Sequence, residues 1–389
     1  MKRENRHIAS APVLPAIMLS MLLAAQSCLK IETAEVTRGK DAEPVADSKA
    51  IEFSVAATTK GLDPVDNLLV LDEYGFGVFA GYSEPGKTFG STTIGNNYIH
   101  NLKINRKDET SDEWVPKNPA YWPLTGSLTF FAYASFIENV EATEEDPDPS
   151  LVMPTADYEG GLLRGRFTPR TDVTRQEDFC LAEPVKDRKY EDGRVPFAFK
   201  HTLTRVRFYM RGDGVINEHY KYRITSIKLK GVVGTNGFTY TEDPDIPCKW
   251  DKVSASSPRS AEYTLTGTQL TDQWIKMKDP SETGLDGYEW INSRDDGRLY
   301  LLPQDILEGA AIEVVVTIYS PDGDKWVPVS TLPMVEIGLA TPDCPKWEPG
   351  KTVSYTVTLQ IPEIRVAEIS ALITDWENSG NVHDPQLID

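Results

Sequence analysis

The sequence predicts an all-β fold, and three observations carry this prediction. Apolar and polar residues alternate over short runs, which is the pattern of strands with one buried face. Beyond the first 27 residues, almost no stretch has the period of an amphipathic helix. Twenty-seven prolines and 27 glycines interrupt the runs, as the turns between many short antiparallel strands require. Sandwiches are the simplest architecture, because each apolar sheet face must be buried against another sheet.

The N-terminal segment reads as an export signal. Basic residues open the chain, and the apolar run of residues 12–25 is shorter than the roughly 20 residues that span a bilayer. The small residues before Cys28 resemble a lipobox, where the cysteine is acylated and becomes the first residue after cleavage. We therefore predict a signal peptide over residues 1–27 and lipidation at Cys28. The alternatives are an ordinary secreted protein and a structural cysteine beside an uncleaved signal.

Composition bounds the remaining chain. Residues 28–47 contain few large apolar side chains, so we expect a tether rather than a folded segment. The formal net charge of −19 repels phosphate backbones, which argues against nucleic-acid binding. Three cysteines follow the tether, and their spacing is not that of a metal site. One disulfide and one free thiol are possible, but the sequence does not indicate which two cysteines would pair. The three cysteines are Cys180, Cys248 and Cys344.

Four later segments show the strand pattern most clearly: 51–57, 205–210, 310–330 and 352–361. The third includes the turn "PDGD", which predicts a hairpin. The last predicts a half-buried strand whose threonines and Ser354 face water. The expected inward-facing residues are Ile51, Phe53 and Val55; Val206, Phe208 and Met210; Ile312, Val314, Val316 and Ile318; and Val353, Tyr355, Val357 and Leu359.

The length after the signal suits two domains. The segment 183–196 is charged and lacks an apolar face, so we place the boundary there. The prediction is an N-terminal domain over 48–195 and a C-terminal domain over 196–389.

One motif imitates a phosphate-binding loop. The stretch "GYSEPGKT", residues 81–88, has the spacing G-x-x-x-x-G-K-[ST], but that motif needs a following helix and the loop amides. Here Pro85 removes an amide, and glycines and β-branched residues follow. The same "EPGKT" recurs at 348–352 and leads into a predicted strand. We interpret both as Pro-Gly turns and expect no nucleotide binding.

The other polar constellations are equally weak. The histidines are far apart, so each is better read as a surface or satisfied side chain than as a metal ligand. Asp322 and Asp324 suit a hairpin turn better than a calcium loop. We predict no catalytic residue, cofactor or metal site, and no enzyme. The histidines are His100, His201, His219 and His383, and the tryptophans that could stack on sugars are Trp114, Trp122, Trp250, Trp274, Trp290, Trp326, Trp347 and Trp376.

Seven segments, in order, resemble the fimbrillin-like lipoproteins of Bacteroides and relatives, which are the pilins, anchors and tip proteins of the type V pilus. The resemblance covers nearly the whole chain after Cys28 and implies two tandem transthyretin-like β-sandwich domains. The segments are "FGVFAGY" (76–82), "NPAYWPLTGSLTFFAYASF" (118–136), "FAFKHTLTRVRFYM" (197–210), "ITSIKLKGVVGTNGF" (224–238), "YLLPQ" (300–304), "WEPGKTVSYTVTLQI" (347–361) and "VAEISALITDW" (366–376).

The resemblance implies polymerisation by strand donation. In the family, a protease removes the first strand of the lipid-anchored precursor, and a C-terminal strand of the next subunit fills the groove. In this chain the cover would be residues 50–59, with Ile51, Phe53 and Val55 as its plugs. The donor would lie within 366–389. Its inward side chains would be Ile369, Ala371 and Ile373.

Processing is where the chain departs from the family pattern. Relatives carry an arginine after the first strand, whereas this chain has Lys60, and the nearest arginine, Arg38, lies in the tether. Either a protease cuts at Lys60, or the first strand stays in place and the protein is an anchor or accessory subunit. The alternative interpretation of Lys60 is an ordinary exposed lysine in a turn.

The expected location is the outer membrane and fimbrium, lipid-anchored and surface-exposed. The expected partners are other fimbrial subunits, the membrane through Cys28, and host or bacterial surface ligands. The alternative function is a glycan-binding surface lipoprotein of a polysaccharide-uptake system.

Overall fold

The computed structural model confirms the all-β prediction. The described residues form strands joined by turns and five 3-10 helices of three or four residues. Among the described residues, no helix is long and apolar enough to cross a membrane. The residues that the structure describes are 49–55, 75–89, 97–108, 113–141, 150–153, 158–159, 161–214, 219–361 and 365–376.

The strands of these ranges are numbered in chain order. They are β1 (Phe53–Val55), β2 (Phe76–Ser83), β3 (Asn97–Arg106), β4 (Trp114–Pro116), β5 (Ser127–Ala134), β6 (Leu151–Val152), β7 (Tyr158–Glu159), β8 (Leu162–Phe167), β9 (Cys180–Ala182), β10 (Val185–Arg188), β11 (Val195–Phe197), β12 (Phe199–His201), β13 (Thr204–Asp213), β14 (Lys221–Val232), β15 (Asn236–Asp243), β16 (Ile246–Trp250), β17 (Ala261–Thr266), β18 (Lys276–Met277), β19 (Glu289–Trp290), β20 (Leu299–Leu301), β21 (Gln304–Asp305), β22 (Ala311–Asp322), β23 (Lys325–Thr331), β24 (Val335–Gly338), β25 (Lys346–Trp347), β26 (Lys351–Gln360) and β27 (Arg365–Asp375). The 3-10 helices are Val173–Arg175, Tyr190–Asp192, Gly267–Gln269, Gly284–Gly287 and Asp295–Gly297.

The N-terminal strands form one sheet that curls around its own apolar face. Its order is β11-β1-β4-β3-β2-β5-β9-β12, and β10 pairs with β5. Phe53 of β1 touches Phe130 of β5 edge-to-face, with ring centroids 6.1 Å apart, although three strands separate β1 from β5 in the sheet. A flat sheet could not bring these rings together, so the curvature creates the core that buries Phe53.

The C-terminal strands form a sandwich. One sheet has the order β18-β13-β26-β27 and the other has the order β17-β14-β22-β23. Side chains from both sheets share one buried apolar cluster, which is the two-layer arrangement expected for alternating strands. The predicted inward residues of β13 and β26 belong to this cluster. In β22, Ile312, Val314 and Val316 are buried and Ile318 is half-buried.

A third apolar cluster joins the two halves of the chain. The sheet β16-β15-β8-β6 contains strands from both sides of the predicted boundary at 195/196. Its Phe238 and Tyr240 pack with Phe131 of the large sheet and Phe179. The charged segment 183–196 contributes β10 and the start of β11 to the large sheet. The positions of the domain limits stay a prediction.

The polar face of β26 departs from the expectation of a face turned to water. Thr352 and Thr358 are 1% exposed, so the prediction of a wet face is wrong. The neighbouring strand β13 supplies Arg205 and Arg211, whose Nε atoms donate to these two hydroxyls at 3.1 and 3.0 Å. Long side chains of an adjacent strand therefore cover a face that the local pattern marks as polar.

The Pro-Gly segments are turns, as predicted. Residues 84–87 follow β2, the Lys87 amide donates to the Glu84 carbonyl at 3.0 Å, and Gly86 has a φ of 77°. Proline followed by a left-handed glycine is the form of a type II turn. The second copy runs directly into β26, and the "PDGD" turn joins β22 to β23 as the expected hairpin.

Candidate functional site

The segment 49–55 lies inside the large sheet rather than on its surface. On one side β1 pairs in parallel with β11, with Ser54 opposite Pro196. On the other side Phe53 pairs with Trp114 of β4 in antiparallel register. The ladder continues beyond β4, because the Ile51 amide donates to the Ala120 carbonyl at 2.8 Å. The segment therefore has a backbone partner on both edges.

The side chains of this segment fill the core beneath it. Ile51 and Phe53 are each 1% exposed, and Val55 is half-buried against the same cluster. The Phe53 ring also stacks on Phe197 of β11, at a centroid distance of 6.1 Å and an interplanar angle of 15°. The three residues predicted as plugs thus point into the sheet interior.

The polar contacts of the segment lie at its rim. Glu52 pairs with Arg194 at 3.0 Å, and both side chains are about half-exposed or more. The Lys49 ammonium lies 3.6 Å from the centroid of the Tyr190 ring. Exposed contacts of this kind contribute little, so apolar burial and the backbone ladder hold the segment.

The other predicted element, around residue 370, is the last strand of its sheet. β27 pairs with β26 along its length, and Ile369, Ala371 and Ile373 stand opposite Val357, Tyr355 and Val353. The three predicted donor side chains are half-buried against the C-terminal cluster. In the order of this sheet β27 is terminal, so within the described strands its outer edge has no sheet partner. The strand is therefore engaged in its own subunit.

The end of β27 is fastened by Trp376. Its ring is 5% exposed and lies flat on His201, with centroids 4.2 Å apart and an interplanar angle of 3°. Tyr300 stacks on the same ring at 5.2 Å, and the Arg205 guanidinium lies 5.1 Å from it. Burial lowers the pKa of Arg205 to about 10, which still leaves it charged at neutral pH.

Three predicted site residues lie outside the described residues. They are Cys28, the predicted lipidation site, and Arg38 and Lys60, the candidate processing sites.

The cysteines after the tether are free thiols. Cys180, Cys248 and Cys344 are all buried, and no disulfide joins any two of them.

Strand pairing creates a polar cluster that sequence spacing did not reveal. Cys180 stands opposite His201, and Asp178 lies two residues before Cys180. Burial, followed by the nearby Asp178 charge, raises the pKa of the Cys180 thiol well above its usual value. Burial opposes ionisation of Asp178, but the contacts with His201 and Cys180 hold the pKa of this carboxyl below its usual value. The clue available in the sequence was the D-x-C spacing, because side chains two residues apart in extended backbone point the same way.

The tryptophans do not form an exposed stacking platform. All eight lie in the described residues, and half of them, Trp114, Trp122, Trp347 and Trp376, are buried. The other four are half-buried, and cations or other rings cover their faces. The Arg207 and Arg223 guanidiniums lie 4.5 and 4.1 Å from the Trp290 and Trp274 centroids, and Lys221 lies over Trp326. Trp250 packs edge-on against Phe238.

Comparison with known proteins identifies the family. The model of the fimbrillin-like family matches residues 72–376 of the chain. The chain belongs to the fimbrillin-like family. The match confirms the resemblance that the seven segments of this fimbrillin-like chain indicated.

Two solved structures are similar to the chain, and the first shows the same fold. A fimbrial protein from Bacteroides vulgatus is 21% identical, with a TM-score of 0.59, and the match covers 84% of this chain and 99% of that one. A candidate cell adhesion protein from Bacteroides uniformis is 14% identical, with a TM-score of 0.45, and covers 86% and 100% of the two chains. No curated protein matches this fimbrillin-like chain. Family membership makes it a fimbrial or adhesin-like protein of the cell surface.

Proposed function

We propose that the chain is a structural or accessory subunit of a surface fimbria that assembles by strand exchange. The segment 49–55 acts as a removable cover, and a C-terminal strand of another subunit takes its place. The lipid on Cys28 holds the precursor at the outer membrane until a protease releases it.

One observation carries this proposal: β1 is an internal strand contributed by a short N-terminal segment. If the segment leaves, residues 114–122 and 195–197 lose the backbone partners that the segment supplies, and the pockets of Ile51 and Phe53 open. An apolar groove flanked by unpaired strand edges binds an extended peptide through main-chain hydrogen bonds and alternate side chains. The same groove would aggregate if it were left open, which is why a cover is needed.

The donor follows from the pattern of β27. Its apolar side chains alternate in the same way as those of β1, since Ile369, Ala371 and Ile373 share one face. A strand that alternates in this way presents a row of plugs to a groove. Donation requires β27 to leave β26, so assembly exchanges one ladder for another.

The proposal predicts that locking β1 to β11 prevents assembly. Ser54 and Pro196 are opposite each other on neighbouring strands, a spacing of about 4.8 Å that a disulfide can span. We would combine Ser54→Cys with Pro196→Cys and insert a site for a specific protease after Lys60. The native thiols of Cys180, Cys248 and Cys344 are buried, so these three should not compete for the new bond.

After cleavage, the reduced double variant should form multimers that survive unheated denaturing gels. The oxidised variant should stay monomeric. The single Ser54→Cys variant serves as the matched control and should assemble under both conditions. Equal assembly of the oxidised and reduced double variant contradicts the exchange mechanism.

N-terminal sequencing of surface-derived protein tests the processing steps. A start at Cys28 indicates a lipid-anchored precursor, a start at Gly39 a shed protein, and a start at Gly61 a polymerising subunit.

A further inference from the structure

A buried cluster of three potential metal ligands lies where the large sheet meets the C-terminal strand. β9 and β12 are antiparallel neighbours, and Cys180 and His201 form one cross-strand pair. Asp178 precedes β9 by two residues, and its carboxylate accepts a hydrogen bond from the Cys180 thiol. The side chains of Asp178 and His201 are 7% and 8% exposed, and Cys180 is 7% exposed.

The three ligand atoms converge on one point. Cys180 Sγ lies 3.0 Å from Asp178 Oδ2 and 3.5 Å from His201 Nδ1. His201 Nδ1 also contacts Asp178 Oδ2 directly. One thiol, one imidazole nitrogen and one carboxylate oxygen therefore all lie within 4.8 Å of one another.

Hydrogen bonding within the cluster leaves it incomplete. Asp178 Oδ2 receives both the thiol and the imidazole, whereas Asp178 Oδ1 is buried without a partner. His201 Nε2 is likewise buried and unpartnered. A buried polar atom without a partner costs about 1–3 kcal/mol, and natural cores rarely keep two in one cluster. The unused carboxylate oxygen points to a ligand beyond these three side chains.

We propose that Asp178, Cys180 and His201 bind a divalent transition-metal ion, with Zn²⁺ as the best match. Zinc accepts Cys, His and Asp together at tetrahedral sites, whereas calcium and magnesium take oxygen ligands. A carboxylate, a thiolate and a neutral imidazole carry two negative charges in total. They therefore neutralise a divalent ion, which makes its burial tolerable.

Binding requires a defined movement of protons. The Cys180 thiol loses its proton to solvent and becomes a thiolate ligand. The imidazole carries its proton on Nε2, so that Nδ1 presents its lone pair to the ion. Asp178 also lines a cavity of about 20 Å³ with Ser135, whose hydroxyl is buried without a partner. That volume holds one water molecule beside the Asp178 carboxyl.

The test is metal binding by the full-length protein. The purified chain is freed of metal, equilibrated with ZnCl₂, dialysed, and its zinc content is measured. Co²⁺ is added to a second sample, because a cobalt–thiolate bond gives a charge-transfer band in the near ultraviolet. We expect one zinc ion per chain and a thiolate band. Cys180→Ser and His201→Gln should each weaken binding by at least about tenfold, the lower bound seen for outer-shell partners.

The chain offers a matched control. Cys248→Ser removes another buried thiol that lies outside the cluster, and it should leave zinc content and the cobalt band unchanged. Absence of both signals in folded wild-type protein overturns the proposal without any variant. Equal zinc binding by wild type and Cys180→Ser also overturns it.

Discussion

Phe53→Ala should release the segment 49–55 selectively. The Phe53 ring is 1% exposed and contacts two aromatic rings at 6.1 Å. Truncating a buried phenylalanine to alanine costs about 3–5 kcal/mol through lost transfer energy and the cavity left behind. The two aromatic contacts favour the middle of that range, about 4 kcal/mol.

Native-state hydrogen exchange measures this effect at single amides. The Ile51 amide donates to Ala120 and the Val195 amide donates to Glu52, so both report the opening of β1. A loss of 4 kcal/mol in the opening free energy corresponds to about a thousandfold faster exchange. The Leu339 amide, which donates to Ala310 in the C-terminal sandwich, should be unaffected.

The control for this experiment is Leu124→Ala. Leu124 is 92% exposed, so its truncation should change exchange at none of these amides. The argument fails if Phe53→Ala accelerates exchange at Ile51 and Val195 by less than about tenfold. It also fails if Leu339 accelerates equally, because β1 would then open only when the whole chain unfolds.

Three further predictions concern stability. Gly231→Ala should be strongly destabilising in urea unfolding, because the added Cβ would lie 2.0 Å from the Gly309 carbonyl oxygen. Gly267→Ala is the control: a Cβ at Gly267, which has a similar positive φ, would have no atom within 4 Å, so this substitution should cost only about 1–2 kcal/mol. Glu289→Gln should raise the urea midpoint at pH 7 but not at pH 4. Burial raises the pKa of the Glu289 carboxyl in the folded protein, so the wild-type protein loses stability as pH rises from the unfolded-state pKa to the folded-state pKa and stays less stable above it. An equal gain at both pH values would contradict this explanation. Lys230→Ala should lower the urea midpoint only slightly, because both glutamates that Lys230 contacts at 2.6 Å are partly exposed. A loss that persists in high salt would disprove the electrostatic explanation.

Local pattern predicted the strands but not what covers them. Period-two alternation identified β1, β13, β22 and β26, because an inward side chain is set by the geometry of its own strand. The wet face predicted for β26 is dry because Arg205 and Arg211, about 150 residues earlier in the chain, extend over it. Whether a polar face meets water depends on the neighbouring strand, and local alternation carries no information about that neighbour.

For the candidate site, too, the sequence predicted side-chain orientation within a strand but not the neighbours of that strand. The inward orientation of Ile51, Phe53 and Val55 follows from alternation within one segment. Their neighbours at residues 114–122 and 195–197 come from distant parts of the chain, so the position of β1 between them was not visible in the sequence. Asp178 and His201 lie 23 positions apart in the chain, with β10, a 3-10 helix and β11 between β9 and β12, and only strand pairing shows that they touch.

The continuity of β11, β12 and β13 has a mechanical consequence. β11 borders the groove of β1, and the chain runs on through β12 into β13 with at most two intervening residues at each step. β13 is bonded in parallel to β26 over ten residue pairs, and β26 is followed in the chain by β27, the proposed donor. Tension entering at the groove therefore reaches the C-terminal strand along the strand axes. Such a pull loads many ladder hydrogen bonds together in shear, so a filament of these subunits would resist stretching far better than peeling.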